Sequence, residues 1–184
     1  KEFERPDQIQ GAAILLSNTG ENQLFLRLIK RGQPLAGAET NASEDLKMKV
    51  SYKDMTGNPI TVDRIPQGTD FYAEVSLTNP GTRGINYDEM ALEQIFPSGW
   101  EILNTRLSEV SGSQGSIPEY QDIRDDRVYT FFDLRTTSTF RVMLNAAYPG
   151  RYYLPAVQCS AMYDYSIMAR QAGQWVEVVV PGEM

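Results

Sequence analysis

Few residues in this chain could do chemistry, and the acidic ones crowd closest together. "YQDIRDDRVY" places Asp122, Asp125 and Asp126 within five positions. Oxygen-rich loops of this kind can hold calcium, but the run lacks the spacing of an EF-hand loop and carries Arg124 and Arg127 among its carboxylates. The plainer reading is a turn before a strand, capped by aspartates that pair with those arginines. Glu93 with Glu101, or Asp126 with Asp133, would supply the two carboxylates that glycoside hydrolysis needs. A chain with 24 acidic residues offers many such pairs. There is no histidine, so neither a Ser-His-Asp nor a Cys-His nucleophile pair can form within the chain. A histidine-rich zinc site is excluded for the same reason. Cys159, the one cysteine, then reads as a small buried hydrophobe rather than a nucleophile. The chain is expected not to be an enzyme, and no metal or cofactor is expected.

The elements that must position any site read as strands. Runs of period two recur between clusters of Gly, Pro, Asn and Asp, the mark of an all-β domain. "QLFLRLIKRG" (Gln23 to Gly32), "LKMKVSYKD" (Leu46 to Asp54) and "TDFYAEVSLTNPG" (Thr69 to Gly81) alternate in this way, the last closing on a turn. "EILNTRL", "DRVYTFFDL", "TSTFRVMLNAAY", "GRYYLPAVQCSAMY" and "GQWVEVVV" follow, rich in aromatic and β-branched residues. In the fourth of these, Tyr153, Pro155, Val157 and Cys159 are expected to share one face. Roughly eight or nine strands at this spacing fit an antiparallel sandwich. Only "NYDEMALEQIF" could carry a helical turn or two before Pro97 ends it. "SEVSGSQGSIPEY" (Ser108 to Tyr120) reads as a surface loop. The polar "ETNASEDLK" suggests a boundary near Ala42, with residues 1 to 42 supplying strands to a neighbouring domain.

The 184 residues suffice for one domain with a sizeable core, and 41% hydrophobic with 22% charged residues suits a globular chain. No segment approaches the roughly 18 consecutive apolar residues of a membrane helix. A net charge of −7 without a basic run disfavours nucleic acid. A lone cysteine leaves the redox compartment open. A chain that opens on Lys1, without methionine or leader, reads as a piece of a longer protein.

"AMYDYSIMA" (Ala161 to Ala169) is the anomaly, a loop pattern between two strong strands that carries two methionines and two tyrosines. It either folds back over its own domain or docks on something outside this chain. Trp100, Tyr120, Tyr129 and Tyr152 could instead form an aromatic platform for glycan or peptide, the alternative class of function, although aromatics on a sandwich are more often core.

"QGTDFYAEVSLTNPG", "LEQIFPSGWEI", "DIRDDRVYTFFDL", "NAAYPGRYYLPAVQCSAMYD" and "GQWVEV" closely resemble, in order from about Leu46 to Val180, the C-terminal domain of bacterial alpha-2-macroglobulins, known as MG10. "NTGENQLFLRLIKRGQP" resembles the stretch that leaves the preceding CUB-like domain. The resemblance implies an all-β, immunoglobulin-like or macroglobulin-like antiparallel sandwich over residues 43 to 184, after a terminal segment of 1 to 42. It also implies a role without catalysis in a peptidase-trapping inhibitor. Such proteins reside in the periplasm or are tethered to a bacterial membrane as lipoproteins, and their bait region is cut by the peptidase they trap. The partners implied are the thioester domain and the other macroglobulin-like domains of the parent, with target peptidases reached through it. In this family the C-terminal domain shields the thioester through the "AMYD" motif, here Met162 and Tyr163 with Asp164 beside them.

Overall fold

Alternation of apolar and polar side chains builds this structure, a computed structural model that describes residues 17–20, 23, 25, 37–103 and 115–182. Contacts divide the chain into a unit of residues 1–33 and a unit of residues 34–184. All the strands below belong to the second. In chain order they are β1 (Ala42–Glu44), β2 (Lys47–Asp54), β3 (Pro59–Ile60), β4 (Arg64–Pro66), β5 (Asp70–Thr78), β6 (Tyr87–Ile95) and β7 (Trp100–Leu103). Then come β8 (Tyr120–Ile123), β9 (Arg127–Leu134), β10 (Thr137–Ala146), β11 (Gly150–Leu154), β12 (Val157–Ala161), β13 (Met168–Gln171) and β14 (Gln174–Val179). No helix occurs among the described residues. The alternating run Gln23 to Gly32, and with it the expected connection to a preceding domain, lies largely outside the described residues. So does the greater part of Ser108 to Tyr120.

One sheet has six strands in the order β1-β13-β12-β6-β9-β8, and a second has five in the order β3-β2-β5-β10-β7. Both are antiparallel throughout. Alternate residues of β5, β9 and β10, and of β6 beyond a bulge between Tyr87 and Met90, point inward. Val75, Leu77, Met90, Leu92, Phe132, Leu134 and Phe140 therefore meet in one core between the sheets. Burying side chains of this size is worth roughly 1.5–3 kcal/mol each. A third sheet, β11-β14-β4, with β4 parallel to β14, encloses a second cluster around Phe71, Trp100, Leu144 and Val176.

Two sequence expectations are corrected here. "NYDEMALEQIF" forms the extended strand β6, inside the six-stranded sheet between β12 and β9, and not a helical turn. Met90, Leu92 and Gln94 are buried while alternate positions face outward, so the period is two. "GRYYLPAVQCSAMY" is not one strand. It leaves the sheets' ladder at Pro155 and Ala156, and its halves become β11 in the third sheet and β12 in the first. Tyr153 and Cys159 thus share no face. Pro155 has no N–H to give a ladder and marks the break.

Candidate functional site

The connections of the sandwich are sorted between its two ends. Lys47 faces Thr78 and Thr78 faces Thr137, while Glu44 faces Met168, Ala161 faces Met90 and Tyr87 faces Leu134. These pairings place the β1–β2, β5–β6, β9–β10 and β12–β13 connections at one end. Three of them cross between the sheets. The fourth, residues 162–166, joins neighbours in one sheet and carries the anomalous sequence.

This loop has a buried base and an exposed tip. Ala161 and Ile167 are buried, and the Ala161 amide donates to the Ile167 carbonyl at 3.0 Å. The Met162 amide donates to the Glu89 carbonyl of β6 at 2.9 Å. Beyond that, Met162 is 40% exposed, Tyr163 83% and Tyr165 82%. Such a group of large apolar side chains around one turn is unusual on a free surface.

Asp164 turns back into the loop. Its Oδ1 accepts from the Ser166 amide at 3.0 Å and from the Ser166 hydroxyl, and its carbonyl accepts from the Ile167 amide at 3.0 Å. That is an Asx turn inside a β-turn. Its Oδ2 accepts from Arg83 Nη1 at 2.9 Å. The same guanidinium donates through Nε to Asp45 Oδ2 at 2.8 Å, and through Nη2 to the Ser166 hydroxyl at 2.7 Å and carbonyl at 3.2 Å. Thr82 Oγ1 completes Asp45 at 2.9 Å.

Arg83 is itself held in a shaped connection. Gly81 and Gly84 have φ of +74° and +65°, a region that favours glycine. The Gly84 amide closes on the Gly81 carbonyl, and the Gly81 amide donates to Asn79 Oδ1. The electrostatics follow from the hydrogen bonds. The Ser166 hydroxyl and amide, with Arg83 after them, hold the Asp164 carboxyl below its ordinary range. Arg83, then Thr82, lowers that of Asp45.

Of the residues singled out from the sequence, Met162 and Tyr163 lie at the tip and Asp164 lies in the frame that shapes it. Tyr165 belongs to the tip as well. The same greasy stretch signalled it. Arg83 carried no signal beyond its place in a glycine-rich turn.

Most of the remaining candidates are engaged elsewhere. Asp122 pairs with Arg124 at 2.9 Å and Asp126 with Arg127 at 2.6 Å. Glu93 accepts from Tyr129 at 3.1 Å and from Gln158, Glu101 accepts from Tyr148 at 2.8 Å, and Asp133 accepts from the Glu89 amide at 3.0 Å. Burial in β12 pushes the Cys159 thiol up to about 12, which leaves it protonated and inert. The four-aromatic platform does not assemble. Trp100 is buried edge-on against Phe71, Tyr120 and Tyr129 lie on the first sheet, and Tyr152 lies on the third. A shallow cleft of about 410 Å³ opens beside β1, β2 and β13, lined by Ser43, Lys47, Met48 and Arg170 among others.

Residues 46–165 match the model of the bacterial alpha-2-macroglobulin MG10 domain. An alpha-2-macroglobulin homolog from Yersinia pestis is 24% identical over 95% of this chain and 10% of its own length. Alpha-2-macroglobulin from Rickettsia conorii is 24% identical over 79% of this chain and 8% of its own. The chain therefore spans about a tenth of the length of these relatives. Among solved structures, native Escherichia coli alpha-2-macroglobulin, from domain MG7 to the C-terminus, superposes with a TM-score of 0.68 at 18% identity, over 80% of this chain and 25% of that one. Salmonella alpha-2-macroglobulin reacted with methylamine gives 0.67 at 20% identity, over 78% of this chain and 10% of that one.

Proposed function

The chain belongs to the family of bacterial alpha-2-macroglobulin MG10 domains, and on that premise we propose that it is a module without catalysis in a peptidase-trapping inhibitor, whose 162–166 loop docks on the parent's thioester domain and shields the thioester in the resting state. One observation carries this reading: Met162, Tyr163 and Tyr165 are exposed on a loop whose base is buried and whose frame is cross-linked. A surface that is apolar and shaped in advance loses little entropy on docking. An acyl thioester needs water and amines kept away, and a flexible thioether beside aromatic rings fills an irregular gap well.

Cutting the bait region would let the trap rearrange and release this docking. The partners on this reading are the thioester domain and the other macroglobulin-like domains of the parent, with the peptidase reached through them. The parent resides in the periplasm or on the cell envelope, free or anchored as a lipoprotein. Fractionation of the cells that make it tests that placement. A glycan-binding or peptide-binding module is the weaker reading, since its four aromatics are spread over separate parts of the fold.

The test is thiol release from the parent on adding methylamine. The amine nitrogen attacks the thioester carbonyl carbon and forms an amide bond, the carbon–sulfur bond breaks, and the departing sulfur takes up the proton that the amine loses and becomes a free thiol. A Met162→Gly, Tyr163→Gly double variant should release its thiol about tenfold faster than wild type, equivalent to ~1.4 kcal/mol of lost docking, or should already have lost the thioester to water. Equal rates in both proteins sink the shielding role. No thiol even after denaturation means a parent without a thioester, and leaves the loop an interdomain contact.

A further inference from the structure

We propose that Arg83 is the positioning residue of the 162–166 loop, fixing how Met162, Tyr163 and Tyr165 are presented and tying that arrangement to the β1–β2 crossing at Asp45. One planar guanidinium bridges three of the four connections at this end of the domain. It lies in the β5–β6 crossing, bonds Asp45 in the β1–β2 crossing, and bonds Asp164 and Ser166 in the hairpin. Its partners lie 38, 81 and 83 residues away in sequence.

The donors leave the guanidinium as a fork in which four of its five N–H groups each meet a separate acceptor. A lysine ammonium is a compact point charge on a flexible stem, and cannot reproduce this pattern. Asp45 sits at a φ of +50°, a left-handed conformation that is uncommon for non-glycine residues and that aspartate tolerates better than most. Arg83 and Thr82 are the side chains that grip its carboxylate.

The consequence is a mechanical link. Asp45 lies in the connection between β1 and β2, the first two strands among the described residues. A displacement of β1 that moves Asp45 would remove one of the two carboxylates that orient Arg83, and would loosen the loop's frame without any residue of the tip being touched. The order of the loop stands on the hydrogen bonds alone. Its link to docking rests on the reading proposed above.

Amide hydrogen exchange of the 184-residue chain, followed by NMR, tests the positioning role. In Arg83→Gln the amides of Ser166 and Ile167 should exchange about five to tenfold faster than in wild type. Arg83→Lys should restore little of that protection although it keeps the charge. Asp45→Asn should give a smaller rise, and should do so even if Arg83→Gln fails to fold. The amides of Leu92 and Phe132, in the core strands, should keep their rates in every variant. Unchanged exchange at Ile167 in the Arg83 variants, full protection with lysine, or a rise shared by Leu92 and Phe132 overturns the proposal.

Thiol release from the parent then separates the two readings. If both Arg83→Lys and the Met162→Gly, Tyr163→Gly variant accelerate it, the frame serves the docking. If only the glycine variant does, docking needs no preset loop and the link falls. If neither does, the docking reading fails, and the exchange result alone decides for or against Arg83.

Discussion

Met162 and Tyr163 sit where folding gains little from them. Cutting either back to alanine should change the stability of this chain by no more than about 0.5 kcal/mol, as for other exposed positions. Chemical denaturation checks this, and a larger loss would place them in the domain's own packing. The carboxylates at the same site have a definite pH behaviour. Asp164 and Asp45 titrate below the ordinary aspartate value of 3.8 in the folded chain. A depressed folded value means that their contribution is complete above the unfolded value and is lost as pH falls through the folded one. The loop frame should therefore hold at neutral pH and loosen only in acid below about 4. Glu119 is the opposite case. Asp133 beside it, helped by desolvation and Glu89, raises it, so it should take up its proton before Asp164 and Asp45 on acidification. Asp54, held at about 2 by Thr56 and Asn58, should take up its proton only in strong acid. An NMR titration of the side-chain carboxyls reads this order directly, and Asp164 titrating beside Glu119 would count against the frame.

At the scale of elements, β6 shows how a strand can hide in a sequence. Its one buried polar side chain, Gln94, interrupts the apolar set, and neither end of its amide meets a partner among the described residues. A buried amide without partners costs about 1–3 kcal/mol. Gln94→Leu should thus be neutral or stabilising, whereas a loss above about 1 kcal/mol in denaturation would show that the amide is satisfied in solution. The turn from β6 to β7 is constrained in the other direction. A Cβ on Gly99 would lie 2.2 Å from the Tyr152 ring. Gly99→Ala should cost about 1–3 kcal/mol by overpacking, with Tyr152→Leu in the same chain recovering part of it. Across three strands, Glu74 in β5 lies between Lys53 of β2 at 2.6 Å and Arg141 of β10 at 2.7 Å.

For the whole molecule, the two sheets depend on one another. Neither can bury its apolar face alone. Leu92, fully buried in the core between the sheets, is the position at which to measure that dependence. Leu92→Ala should cost about 2–5 kcal/mol and lower the thermal midpoint in one cooperative step. A loss confined to the six-stranded sheet, seen as unchanged exchange in β5 and β10, would mean that the layers melt separately. Such rigidity suits a domain whose proposed work is to present one loop to a neighbour.

The sequence alone determined the β class, because period-two alternation in β2, β5, β9 and β10 admits no other burial of their apolar residues. It also singled out the 161–169 stretch, since exposed methionine and tyrosine around a turn is an anomaly of composition that needs no coordinates. Ordered blocks carried the family, over the 46–165 region that matches its model. Only the tertiary structure decided where "GRYYLPAVQCSAMY" breaks, because Pro155 permits a break without requiring one. Only it showed that MALEQI is a strand between two neighbours, where tertiary pairing overrides a weak helical preference. The frame around the loop was illegible for a deeper reason. Arg83, Asp45 and Asp164 are ordinary surface charges in sequence, and their grouping depends on how the connections of two sheets fall at one end of a sandwich.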